Sequence, residues 1–132
     1  VGTEFEVVAW KGVENKVTHI DSTMLSLNKD TILVNGSRIN DDNLPSFMKH
    51  YKQIRVDDVV PRQFEHFPFA SKWIGLNVLS LSPDTVIVDE IQTAMIEQLK
   101  QNGFGVIPLP LRQSRTLGGG FHCLSCDIER EA

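Results

Sequence analysis

An internal repeat constrains the fold of this chain more than any other feature. Residues 24–35 and 78–89 align without gaps and are identical at six of twelve positions. Each copy consists of an apolar strand, a polar turn and a strand rich in β-branched residues, a pattern typical of a β-hairpin. The repeat therefore predicts two copies of one supersecondary unit, which stack and bury a shared core.

A helix is predicted after the first hairpin. Its apolar residues follow the i, i+3, i+4, i+7 spacing of one helical face: Leu44, Phe47, Met48 and Tyr51. Residues 41–43 offer N-cap candidates, and Pro45 suits a first helical turn. A third strand is predicted at 53–56, which completes a β-β-α-β unit.

The second hairpin is followed by the same signals. Its helical stripe comprises Ile91, Met95, Ile96 and Leu99. Asp89 and Gln92 form a capping-box pattern before this stripe, and Asn102-Gly103 ends it. The third strand is predicted at 105–109. Both helices are expected to be amphipathic and to pack on a sheet.

The 132 residues are the length of one domain and predict a single core. We expect an α/β domain over 1–132, with modules at approximately 20–58 and 76–111. Flanking strands are predicted at Phe5 to Trp10 and Phe121 to Ile128.

Charge and hydropathy narrow the range of partners and compartments. Thirteen basic and seventeen acidic residues give a net charge of −4, and the basic residues form no cluster. Nucleic acid and anionic membranes are therefore not expected partners. No apolar stretch is long enough to span a membrane, the first residues lack a signal-peptide pattern, and only two cysteines occur. These features indicate a cytoplasmic protein with reduced thiols.

The segment Gly118-Gly119-Gly120-Phe121-His122-Cys123 is the strongest candidate for chemistry. Consecutive glycines are tolerated mainly where φ is positive or where a ligand approaches the backbone. Cys123 is therefore a candidate nucleophile, with a small buried hydrophobic residue as the alternative.

A redox or zinc site at Cys123 and Cys126 is less favoured. Zinc needs four ligands, or three and a water, whereas this chain has two cysteines and four histidines that are scattered along the sequence. If the segment is a strand, residues three apart lie on opposite faces, so the two cysteines could not easily share a metal. A redox or metal site is therefore not expected at this pair.

His19 and Asp21 form a second candidate pair at the mouth of the first hairpin. In an extended backbone, alternation places both side chains on one side. The alternative is a solvated surface pair. Arg38, in a turn, and Ser71-Lys72-Trp73, a short polar and aromatic stretch, are weaker local signals.

Three motifs together resemble the amidinotransferase family, in particular the arginine:glycine amidinotransferases. They are Thr18-His19-Ile20-Asp21, Ala70-Ser71-Lys72-Trp73 and Leu117-Gly118-Gly119-Gly120-Phe121-His122-Cys123. The resemblance extends from about Phe5 to Arg130 and implies the pentein fold, five β-β-α-β modules around a central axis. Two modules with flanking strands would form part of that ring.

The resemblance also implies roles for individual residues. Cys123 would attack the guanidinium carbon of an arginine-like donor and form an amidino-cysteine, and His19 would act as general acid and base for donor and acceptor amines. The substrate-binding residues would be Asp21 for the guanidinium, Arg38 for the α-carboxylate and Ser71 through its hydroxyl. The resemblance implies that no cofactor or metal is needed.

Other functions stay open at this level. Family members carry an acid that orients the catalytic histidine. That acid lies upstream of the position that corresponds to Val1. The chain alone is thus expected to be a slow catalyst that forms homo-oligomers or lacks further pentein modules. The alternatives are a non-catalytic pentein module that binds guanidino compounds or acts in assembly, and an arginine deiminase-like hydrolase.

Overall fold

Two three-stranded sheets, one from each copy of the repeat, form the frame of the chain. The structure, a computed structural model, describes residues 6–10, 19–57, 66 and 74–129. The strands are β1 (Met24–Ser26), β2 (Thr31–Asn35), β3 (Lys52–Val56), β4 (Leu79–Ser82), β5 (Thr85–Asp89) and β6 (Gly105–Leu109). The described α-helices are α1 (Thr93–Gln101) and α2 (Gln113–Thr116), and the described 3₁₀ helices are Ile20–Ser22, Ser46–Met48 and Ile74–Leu76.

Both sheets have the same topology. β1 and β2 form an antiparallel hairpin, and β3 adds to β2 in parallel; β4, β5 and β6 repeat this order. Thr31 begins the parallel ladder of the first sheet opposite Lys52, and Thr85, fifty-four residues later, begins that of the second opposite Gly105. The two hairpins and both third strands are therefore confirmed, and the α/β architecture is that of pentein-type modules.

The main core lies between the two units and is shared by them. It comprises Leu27, Leu33, Ile54, Val56, Leu76, Val78, Val86, Val88, Met95, Leu99 and Phe104. All five residues of β2 are buried, because successive side chains alternate between this core and a smaller cluster. Helix α1 contributes Met95 and Leu99 and contacts strands of both sheets, which joins the modules.

The predicted helix over 44–51 is wrong, because the segment forms only the 3₁₀ turn Ser46–Met48. The Asn40 side chain accepts hydrogen bonds from the backbone N–H groups of Asp42 and Asn43. Such local bonds compete with a helix. Leu44 is buried as predicted, whereas Phe47 on the same predicted stripe is 44% exposed.

The second helix is confirmed, but its predicted cap is wrong. Helix α1 begins at Thr93 without a side-chain cap and ends near Gly103, whose φ is +91°. Asp89 ends β5 instead of capping the helix. Its Oδ2 accepts a hydrogen bond from Arg115, and its Oδ1 accepts a long one of 3.5 Å from the Ile91 N–H, which precedes the helix.

Both predicted flanking strands are also wrong where the structure describes them. Residues 6–10 are irregular, although Trp10 donates its indole N–H to the Asn43 carbonyl and packs on the smaller cluster. Residues 121–124 form a turn, and 125–128 are irregular. In the part of the chain that the structure describes, no helix is long and apolar enough to cross a membrane.

Candidate functional site

Two short 3₁₀ helices bring the candidate site together. Ile20–Ser22 precedes β1 and Ile74–Leu76 precedes β4, so the two occupy equivalent places in the repeat, and they contact each other. The end of β2 lies beside the first of them, because the Asn35 N–H donates to the Thr23 carbonyl over 2.9 Å. The site therefore lies where the two modules meet, at the carboxyl end of β2.

Cys123 and Asp21 meet in this place although they are 102 residues apart. The Cys123 Sγ lies 3.6 Å from Asp21 Oδ2, and the geometry is that of a thiol donating to a carboxylate. Asp21 is buried on its 3₁₀ helix, whereas the Cys123 side chain is exposed. The sulfur thus lies at the surface and contacts a largely buried carboxylate.

His122 engages the same carboxylate oxygen. Its Nδ1 lies 3.0 Å from Asp21 Oδ2, which requires the proton on Nδ1. The His122 side chain is 49% exposed, and that of Asp21 is 12% exposed. Among the described residues, the other oxygen, Asp21 Oδ1, is buried and has no hydrogen-bond partner. The acid therefore retains an acceptor that a cationic group could use.

Asn77 holds the turn that carries the cysteine. Its Oδ1 accepts the Cys123 N–H over 2.9 Å, and its carbonyl oxygen accepts the His122 N–H over 3.2 Å. A Cβ atom on Gly120 would lie 2.5 Å from the Asn77 Cβ, so this glycine is needed for close approach. Gly118, with φ of +78°, needs glycine for its backbone conformation instead.

The structure places the remaining predicted residues in different ways. His19 is exposed and extended, two residues before Asp21, so the prediction of an extended His19–Asp21 segment fails at Asp21. Arg38 is half-buried, its N–H donates to the Asn35 carbonyl at the carboxyl end of β2, and burial lowers its pKa. Ser71 lies outside the described residues.

The two cysteines differ in their surroundings. Both are unpaired as disulfides and exposed; Cys123 lies in a turn and Cys126 on irregular backbone, rather than on a strand. Among the described residues, the Cys126 Sγ has only a long contact of 3.9 Å with its neighbour's carbonyl. Within the described ranges, no group of three or more histidine, cysteine or acidic side chains could hold a metal ion.

An open cavity of about 540 Å³ adjoins Cys123. It is lined on one side by the segment from Pro110 to Ser114 and on the other by Leu117, Gly119, Phe121 and Leu124. Its wall is mainly apolar, with Arg112 and Gln113 contributing polar groups. The cysteine therefore faces both the acid of the first module and a space large enough for a small substrate.

Comparison with known proteins shows which proteins this chain is similar to. No protein-family model matches the sequence. Inosamine-phosphate amidinotransferase 1 of Streptomyces griseus is 45% identical over 116 residues, which cover 87% of this chain and 33% of the relative. The mitochondrial glycine amidinotransferase of Xenopus tropicalis is 32% identical over 114 residues, which cover 85% of this chain and 26% of the relative.

Solved structures agree with the sequence comparison. The inosamine-phosphate amidinotransferase StrB1 from Streptomyces griseus superposes with a TM-score of 0.84 at 39% identity, over 99% of this chain and 38% of that one. The chain is a homologue of the amidinotransferases. It spans about a third of the length of the relatives that it matches.

A more distant neighbour supports the pentein-type fold of this amidinotransferase homologue. The N-terminal domain of ArgZ, a cyanobacterial arginine dihydrolase, superposes with a TM-score of 0.57 at 18% identity, over 80% of this chain and 36% of that one. That likeness concerns the fold alone. Transferases and a dihydrolase thus share the arrangement of modules that the repeat predicted.

Asn77 is the residue of this candidate site that sequence analysis missed. It interrupts a run of apolar residues at 74–79 and is 1% exposed. It occupies the repeat position of Thr23, which is also fully buried. A polar residue in the otherwise apolar run of the second repeat, at a position that is also polar in the first, was the available signal.

Proposed function

We propose that this chain carries the nucleophile and part of the guanidinium site of an amidinotransferase. The enzyme would move an amidino group from arginine, or a similar guanidino donor, to an amine acceptor. The observation that carries the proposal is the 3.6 Å contact between Cys123 Sγ and Asp21 Oδ2. It supports the proposal because the sulfur lies beside a carboxylate that suits a planar cation.

The first half-reaction forms the covalent intermediate. The guanidinium would donate hydrogen bonds to Asp21, whose buried Oδ1 has no partner among the described residues. The Cys123 thiol gives its proton to His19, and the resulting thiolate attacks the guanidinium carbon and forms a C–S bond. The bond from that carbon to the alkyl nitrogen then breaks, and His19 protonates the departing amine. Arginine would leave as ornithine.

The second half-reaction reverses these steps with a different amine. His19 removes a proton from the acceptor, whose nitrogen attacks the amidino carbon. A new C–N bond forms, the C–S bond breaks, and the thiolate is regenerated. Bonds are exchanged without oxidation or reduction, so the proposed reaction calls for no redox cofactor.

Arg38 and Ser71 are proposed to bind the rest of the donor. The Arg38 guanidinium suits an α-carboxylate, because Arg–carboxylate pairs are charge-assisted and can be bidentate. Its backbone lies at the carboxyl end of β2, the end that also lies beside the Asp21 turn. Ser71 would contribute a hydroxyl contact. His122, which shares Asp21 with the cysteine, would keep that carboxylate oriented.

The experiment is to detect the intermediate on Cys123. The protein is incubated with arginine that is isotopically labelled in its guanidino group, and the reaction is quenched in acid. After digestion, the masses of the peptides that contain Cys123 and Cys126 are measured. We expect the mass of one labelled amidino group on the Cys123 peptide and none on the Cys126 peptide. Cys123→Ser should abolish labelling, and the matched variant Cys126→Ser should retain it.

Product analysis separates the alternative functions. Ornithine together with an amidinated acceptor supports transfer, whereas citrulline would indicate a deiminase-like hydrolase. Arginine binding without labelling or product would indicate a non-catalytic module that binds guanidino compounds. Labelling of Cys126 alone would overturn the assignment of the nucleophile.

Self-association and a cytoplasmic location are also part of the proposal. Leu117 is 78% exposed and Leu124 is 67% exposed, and both line the cavity beside Cys123. Covering such side chains with a second copy removes apolar surface from water. Sedimentation velocity should then show a dimer or larger species, and a monomer at all concentrations would refute it. A reducing compartment suits the free thiol that the reaction needs.

A further inference from the structure

We propose that Asn77 is a positioning residue that fixes the direction of the Cys123 thiol. Asn77 accepts hydrogen bonds from two successive backbone N–H groups, those of His122 and Cys123. Holding both sets the orientation of the peptide between them. The Cα–Cβ bond of Cys123 is thereby fixed relative to Asp21. The inference rests on the proposed role of Cys123 as nucleophile.

The anchor itself is rigid. The Asn77 N–H donates to the Ile74 carbonyl over 3.0 Å, and the residue is 1% exposed. Its neighbours Leu76 and Val78 are fully buried in the main core that the two modules share. Close packing in such a core resists small displacements. The core, and not the exposed turn, therefore determines the position of the thiol.

Gly120 makes the close contact between the turn and Asn77 possible. A Cβ atom on this residue would lie 2.5 Å from Asn77 Cβ, 2.6 Å from its Oδ1 and 2.8 Å from its carbonyl oxygen. The turn can approach Asn77 closely enough for both hydrogen bonds only because Gly120 has no side chain. The last glycine of the triplet and Asn77 thus act as one unit.

The chemistry of the amide explains why asparagine suits this place. Its Oδ1 accepts the Cys123 N–H without a net charge, in a site where Asp21 already contributes a carboxylate. Its Nδ2 is buried and has no hydrogen-bond partner among the described residues. Replacing Asn77 by aspartate therefore keeps the acceptor, loses no bond of Nδ2 and adds one negative charge.

Alkylation of the two cysteines tests the inference without any turnover. The protein is treated with iodoacetamide over a range of pH, and the rate at each cysteine is followed by peptide mass spectrometry. Cys126, which has no comparable anchor among the residues that the structure describes, is the reference within the same molecule. In the unmodified protein the two pH profiles should differ. In Asn77→Ala the Cys123 profile should collapse onto that of Cys126.

The other variants decide the remaining cases. Asn77→Asp should keep a distinct Cys123 profile, moved to higher pH by the added charge. Asn35→Ala is the matched control, because Asn35 is equally buried and its Oδ1 binds Ser37. It should leave the Cys123 profile unchanged. Coinciding profiles in the unmodified protein, or an unchanged Cys123 profile in Asn77→Ala, would overturn the inference.

Amidino capture from arginine provides a second readout. Because Asn77 acts through Cys123, Asn77→Ala should lower the maximal rate of Cys123 labelling at least tenfold and leave the half-saturating arginine concentration within about twofold. A change confined to half-saturation would count against positioning. If the unmodified protein is not labelled, the proposed function fails while the alkylation result still decides the role of Asn77.

Discussion

Arg115 donates a hydrogen bond from Nη2 to Asp89 Oδ2 over 2.9 Å, and both side chains are closed to solvent. Asp89 is the last residue of β5, and Arg115 lies in α2, directly before the glycine-rich turn. The ion pair therefore ties the segment that carries Cys123 to the second sheet. It also provides a charge-assisted bond where β5 ends in the interior.

Removing one partner of this pair should be costly. Arg115→Met leaves the Asp89 carboxylate buried without its cation, and breaking a buried pair costs about 3–5 kcal/mol. Arg55→Met is the matched control, because Arg55 pairs with Asp41, whose side chain is 88% exposed, and an exposed pair is worth about 1 kcal/mol or less. Urea unfolding measures both, and equal losses would contradict the distinction.

Substitution by alanine should lower the melting temperature at one of two adjacent glycines and not at the other. At Gly120 its Cβ would meet Asn77 at 2.5 Å, whereas at Gly119 the nearest atom, Cys123 Cβ, would be 3.6 Å away. Overpacking costs about 1–3 kcal/mol, so Gly120→Ala should lower the melting temperature clearly. Gly119→Ala should change it little, since 3.6 Å is ordinary van der Waals contact. Equal melting temperatures for the two variants would show that the turn adapts.

Local sequence patterns predicted the hairpins, the third strands and α1. Turn residues and β-branched runs act over a few neighbours, so the repeat at 24–35 and 78–89 is sufficient to specify them. The prediction of the first helix was wrong because the side chains of Asn40 and Asn43 accept hydrogen bonds from nearby backbone N–H groups. The spacing of apolar residues gives no information about such bonds.

The candidate site depends on contacts that no local pattern encodes. Asp21 and His122 are 101 residues apart, and only the packing of the two modules makes them partners. The trailing segment was predicted as a strand from its residue types, yet the two N–H groups that bind Asn77 hold 121–124 in a turn. The residue patterns, together with the resemblance to a family, pointed to Cys123 and Asp21, whereas the role of Asn77 became visible only in the structure.

A pH-dependent contribution to stability is expected in the second hairpin. The Ser82 hydroxyl, followed by that of Thr85, donates to the Asp84 carboxylate and lowers the pKa of Asp84 below its ordinary value. A lowered folded-state pKa stabilises the protein above the unfolded-state pKa, and this contribution is lost as pH falls through the folded-state value. Acid therefore removes it.

Ser82→Ala removes the larger cause and should raise the pKa of Asp84 toward its ordinary value. The stability difference from the unmodified protein should be present at neutral pH and should vanish once Asp84 is protonated in both. Ser26→Ala is the control in the first hairpin, because the Ser26 hydroxyl donates to a carbonyl that does not titrate. Urea unfolding at several pH values measures both. A Ser82→Ala effect that persists in acid would refute this linkage.

The unpartnered oxygen of Asp21 leads to the last prediction. Asp21→Asn retains the shape of the side chain but removes the negative charge that the proposed guanidinium would meet. A hydrogen bond to a charged group contributes about 1.5–3 kcal/mol, so capture of the amidino group from arginine should fall roughly ten- to a hundredfold. Asp41→Asn is the matched control, because Asp41 is exposed and pairs only with Arg55 among the described residues; it should label at the normal rate. Alkylation of Cys123 in Asp21→Asn, measured with neutral iodoacetamide, separates loss of substrate binding from loss of thiol reactivity. Arginine capture that stays normal in Asp21→Asn would show that the guanidinium is held elsewhere, since no other change in that variant offsets the lost charge.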